Sequence, residues 1–175
     1  MWKQATGKML AALTVLLGLS ALHGCGGEST ADTGVLVKVW LNESMLRDGD
    51  QIGVLYRTID VDGDTVNFGE LQPALRPTRV QELYNPITLA FVPAEGREGQ
   101  GFQVAAALYR DEDVRLMQEY AVVYEPGEWH VLEMDLMRSC LDVECGRGET
   151  CSYGSCVETV VMARDLPVPS EQDAP

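Results

Sequence analysis

The chemistry this chain can do is concentrated in its cysteines, its carboxylates and one histidine. Cys140, Cys145, Cys151 and Cys156 fall within 17 residues at the spacing C-x4-C-x5-C-x4-C. Thiolates bind structural zinc, but such sites usually set their cysteines closer together. A short loop carrying Gly146, Gly148 and Gly154 cannot bury a core of its own. Two disulfides would supply its order, because cross-links remove freedom from the unfolded chain. Four cysteines allow three connectivities; Cys140–Cys151 with Cys145–Cys156 is preferred, and no metal is assigned to them.

A second cluster is Asp60-Val61-Asp62-Gly63-Asp64. Carboxylates at alternate positions resemble the opening of a calcium loop, which needs Gly at its sixth position and Glu at its twelfth. Those places hold Thr65 and Leu71. Asp60, Asp62 and Asp64 are the residues a calcium ion would use, yet a plain acidic hairpin tip accounts for them better. His130 lies beside Trp129 in a strand-like run, where a core-edge histidine bonded to backbone is expected rather than a general base. The chain has no Gly-x-Ser-x-Gly elbow, no His-Glu-x-x-His and no phosphate-cradling glycine loop. No catalytic residue and no cofactor are assigned; the protein reads as a non-enzyme.

The fifth cysteine, Cys25, has a different setting. Lys3 and Lys8 precede an apolar run over residues 9–22, too short to span a bilayer, and Leu22-His23-Gly24-Cys25 follows. The arrangement resembles the signal and lipobox of a bacterial lipoprotein, with His23 a departure from the small or apolar residue usual there. The resemblance implies removal of residues 1–24, diacylglycerol on the Cys25 thiol and a further acyl chain such as palmitate on the new amino group. Two or more acyl chains hold a protein stably on a membrane. Gly26 follows the cysteine instead of Asp, which by the same resemblance favours the outer membrane. Residues 25–34 are small and polar, a flexible tether.

Without residues 1–24 the chain keeps 11 basic residues against 27 acidic ones, a formal balance of −16. Scattered acids with no basic stripe argue against nucleic acid as a partner and against attraction to anionic lipid. The acyl group is then the sole membrane contact. The partners left are an envelope protein or glycan; the oligomeric state is not specified.

The elements that must position these groups are strands. Val35, Val37, Val39 and Leu41 alternate with Leu36, Lys38 and Trp40, the pattern of a half-buried strand. Residues 51–60 form a second strand, closed by an Asp62-Gly63 turn that sets Ile59 opposite Val66, Asp60 opposite Thr65 and Thr58 opposite Asn67. Pro73 and Pro77 exclude a long helix or a central strand from residues 69–85. That stretch reads as a crossover, with Thr78 capping one helical turn. Ile87 to Val92 reads as a strand buried on both faces, and residues 94–101 as a loop. Residues 102–109, 114–124 and 129–136 are three strands joined by turns. In the last, Trp129, Val131, Glu133 and Asp135 share one face and His130, Leu132, Met134 and Leu136 the other. About seven strands at this spacing predict an all-β, antiparallel sandwich of immunoglobulin or transthyretin type over residues 35–137, with an up-and-down barrel as the second choice. A disulfide-stapled knuckle over 138–157 and a frayed tail over 158–175 follow.

The run from Cys140 to Val157 also resembles a C-x4-C-G-x-G-x-x-C-x-x-G-x-C-V knuckle found in many predicted myxobacterial lipoproteins. There a lipobox and a sandwich-like domain commonly precede it. The resemblance implies an outer-membrane location and a build, not a reaction. The function expected is a lipid-anchored binding or scaffolding module, contacting partners through loops 42–50, 72–85 and 94–101. The alternative is a carboxylate-based hydrolase of envelope glycans, which needs two acids about 5–10 Å apart in a cleft.

Overall fold

The computed structural model describes residues 33–47, 50–62, 65–93, 100–141 and 143–171. Cys25, the lipobox and most of the tether lie outside the described residues, as does much of the loop over 94–101. The strands are β1 (Gly34–Leu41), β2 (Gln51–Asp62), β3 (Thr65–Phe68), β4 (Gln72–Arg79), β5 (Ile87–Phe91), β6 (Gly101–Arg110), β7 (Asp113–Val123) and β8 (Trp129–Leu136), then β9 (Glu149–Ser152), β10 (Ser155–Glu158) and β11 (Val160–Met162). Short 3-10 turns punctuate them, and among the described residues no helix is long and apolar enough to cross a membrane. The all-β expectation holds.

Two sheets enclose the core. One runs β5-β1-β8; the other runs β11-β7-β6-β2-β3, with β4 also paired to β2. The alternation read in β1 places Val35, Val37, Val39 and Leu41 inside. They join Leu132, Met134 and Leu136 of β8 and meet Ile52, Val54, Val104, Leu108, Leu116 and Val122 from the other sheet. Each such side chain contributes about 1.5–3 kcal/mol by leaving water. Phe91 stacks on Phe102 at 4.6 Å, and Tyr56 and Tyr124 extend that aromatic row at 5.4 Å each.

Five expectations need correction. The sandwich is not antiparallel throughout: β1 pairs parallel with β8, and β11 parallel with β7. Strands joined by long stretches of chain need no hairpin between them, so nothing local forces the antiparallel sense. The β2–β3 hairpin sets Ile59 opposite Phe68, Asp60 opposite Asn67, Val61 opposite Val66 and Asp62 opposite Thr65. This register puts Val61 opposite Val66, a pairing that the Asp62-Gly63 turn would have forfeited. Gly63 and Asp64 lie outside the described residues.

Residues 72–79 are a strand rather than a crossover. Pro73 and Pro77 are tolerated because β4 is an edge, where a missing N–H breaks no ladder bond, and the register shifts twice along it. Thr78 caps nothing: its hydroxyl donates to Arg76 O at 2.8 Å, and the turn Val80–Glu82 has no side-chain cap. Strands β3 and β4 share one side of β2, with Gly69 close to it between them. Gly69 N donates to Thr58 O at 2.8 Å, and a Cβ there would sit 2.3 Å from Thr58 Oγ1. Strand β5, expected to be buried on both faces, is an edge as well: Ile87 and Phe91 are buried but Thr88 and Ala90 are exposed.

The tail is the fifth correction. Val160–Met162 pairs with β7, Ala163 is fully buried, and Val131 N donates to Pro167 O at 2.8 Å. Apolar residues at 160–163 and 166 gave the signal, outweighed in the sequence by the prolines that follow.

Candidate functional site

The knuckle sits astride two sheet edges, and the sequence shows how it is held there. Both disulfides form, Cys140–Cys151 with S–S 2.05 Å and Cys145–Cys156 with 2.02 Å, each spanning 11 residues. Cys140 and Cys151 belong to the core, whereas Cys156 is exposed. Between the bridges, β9 and β10 form a hairpin that pairs Cys151 with Cys156 and Thr150 with Val157. Its turn is Tyr153-Gly154, with φ of 51° and 84°. A two-residue turn of this hand needs positive φ at both places, which Gly154 supplies without strain.

The hairpin is fixed to β7 by Gln118 and Glu119. Gln118, 1 % exposed, donates from Nε2 to Cys151 O at 2.5 Å, and Glu119 N donates to Thr150 Oγ1 at 3.1 Å. Its tip is fixed to β8, where the Tyr153 hydroxyl donates to Asp135 Oδ2 at 2.5 Å. That bond to a carboxylate raises the Tyr153 pKa. Beyond the hairpin, Thr159 N donates to Gly148 O and Ala121 N to Thr159 O, and the chain then crosses to β8. Here His130 is buried, with Nδ1 3.2 Å from Leu166 O and Glu128 Oε2 3.7 Å from Nε2. The expected backbone-bonded histidine is what the structure contains; its Nδ1–H donates to that carbonyl.

A hollow of about 370 Å³ opens between β7 and the knuckle. Val114, Met117 and Val143 supply apolar surface, and Glu119, Glu144 and Glu149 supply negative charge. Glu149 Oε2 accepts from Gly146 N at 3.0 Å, so this acid also holds the cysteine loop. The hollow therefore brings apolar and charged side chains together in one concavity. No family model, curated protein or solved structure matches the chain.

The other sequence-derived candidates fall elsewhere. Asp60 is exposed on β2, while the side chains of Asp62 and Asp64 lie outside the described residues. Among the described residues there is no cluster of three metal-binding side chains. Of the three loops expected to bind partners, 42–50 carries the turn Glu43–Met45 and ends in a fully buried Asp50, and 72–85 is mostly β4. Asp50 accepts from Arg110 Nε at 2.7 Å and Nη2 at 2.6 Å, and from Arg47 N at 2.9 Å. The Arg110 guanidinium holds the Asp50 carboxyl below the usual carboxylate range. This is a structural fastening. Sequence reasoning missed the hollow, although Met117 between Arg115 and Glu119 is an apolar residue on an outward position of β7.

Proposed function

We propose that this chain is a lipid-anchored module of the bacterial cell envelope, held in the outer membrane through Cys25, that binds a partner with its folded domain. The observation that carries the reading is the pair of disulfides, Cys140–Cys151 and Cys145–Cys156. Structural disulfides persist in oxidising compartments, which agrees with export directed by an N-terminal signal. An acylated Cys25 would then follow from Leu22-His23-Gly24 before it. The hollow beside the knuckle supports binding by the domain itself, since it offers apolar surface and charge together.

Mass analysis of the protein purified from membranes tests the reading. A chain beginning at Cys25 with acyl mass and four oxidised thiols is expected. An intact Met1 start, or a mature form free in the medium, would sink it. Three glutamates round one concavity give the alternative, a hydrolase of envelope glycans, a specific place to act. Release of reducing ends from purified envelope glycan, abolished by Glu144→Gln, would favour it.

A further inference from the structure

The hollow between β7 and the knuckle brings exposed apolar side chains and carboxylates into one concavity, and we propose that it receives a lysine or arginine side chain from a basic polypeptide partner. The inference rests on the binding-module reading and specifies the partner's chemistry. Val114, Met117 and Val143 are 54 %, 51 % and 37 % exposed, and all three line the hollow. Exposed apolar residues scattered singly need no explanation, but a contiguous group with a polar rim marks a contact surface.

The lining is acidic on balance. Among the described residues it holds Glu119, Glu144 and Glu149 against one cation, Arg115. A long basic side chain has the matching build, because its methylenes lie along apolar surface while its charged head stays in polar surroundings. Met117 suits such an occupant, since an unbranched thioether repacks around varied shapes. A bare metal ion would leave the apolar side chains without a role, and an acidic segment would meet three carboxylates against one cation. The long-range field agrees: a formal balance of −16 without residues 1–24, 11 basic residues against 27 acidic ones, draws cationic partners in and speeds encounter.

The test uses the full acylated chain in detergent micelles and a fluorescent peptide of alternating alanine and arginine, followed by anisotropy. Saturable binding that weakens as salt rises is expected. Glu144→Gln with Glu149→Gln, and separately Met117→Ser, each weaken it about tenfold. Glu70→Gln with Glu82→Gln removes the same charge beside the β3–β4 edge, with β6 and β2 between it and β7, and leaves affinity unchanged. Equal weakening by that remote pair would reduce the effect to diffuse charge and overturn the proposal. Equal affinity for a peptide with glutamine in place of arginine would do the same. Met117 is half exposed, so its replacement leaves the fold intact and keeps the test decisive. Acylation of Cys25 is read by mass on the same sample and enters no step of the titration, so failure here leaves the anchoring question separate.

Discussion

Along one side of the sandwich, the edges of β7 and β8 are covered by chain that follows the two disulfides. Along the other, β5 and the β3–β4 edge end the sheets, with no covalent link between them among the described residues. An uncovered edge offers backbone groups to other chains, and the two sides answer that hazard differently. The first spends residues 138–168 on it, placing Thr150 against Glu119, Val160–Met162 against β7 and Pro167 against Val131. The second relies on side chains: Pro73 and Pro77 in β4, two register shifts, and Arg57 held 4.1 Å over the Phe68 ring. Its firmest attachment is Asp50, which joins β2 to the end of β6 through Arg110 and accepts Val80 N at its carbonyl. One side is therefore secured by redox chemistry and the other by an ion pair.

The sharpest way to break this contrast is to remove the inner bridge. Cys140→Ala with Cys151→Ala costs about 2–4 kcal/mol and speeds amide exchange at Ala121 and Val131, while amides on β5 keep their protection. Cys145→Ala with Cys156→Ala opens a loop of the same 11-residue separation, so the entropic contribution is equal. Because Cys156 is exposed, this second loss is smaller in a urea melt, and equal losses would assign the whole effect to chain entropy.

Acid should act on the opposite side. A carboxyl whose pKa is lower in the folded state stabilises the fold above its unfolded value and loses that contribution as pH falls through the folded one. For Asp50 the window lies below about pH 4, and Asp50→Asn flattens the acid limb of a thermal-stability profile there. Reductant at neutral pH should leave that limb in place. The smallest effect expected is for Arg57→Ala. Losing its contact with Phe68, itself 53 % exposed, costs about 0.5–1 kcal/mol in the same melt and leaves the knuckle's exchange pattern untouched.

How legible these features were depended on the range of the interaction. Strand faces followed from alternation, so Val35, Val37, Val39 and Leu41 and the even positions of β8 were readable directly. The preferred disulfide connectivity was also right. Hairpin register was off because Asp62-Gly63 is a good turn by itself, whereas the pairing of Val61 with Val66 depends on both strands. Pro73 and Pro77 correctly barred a central strand but hid an edge one. The hollow was out of reach, since Met117 and Val143 come together only once the knuckle has docked. Where β1 would lie was equally hidden, for its neighbour β8 begins nearly a hundred residues later.

That last pairing bears on assembly. The first strand finds its parallel neighbour only after Trp129 to Leu136 exists, and both sheets are finished by residues 159–168. Contacts so distant along the chain slow the search for the native state. A polypeptide delivered N-terminus first must therefore wait with its earliest strand exposed until the last segment arrives, a vulnerable interval in which escort by another protein would matter most.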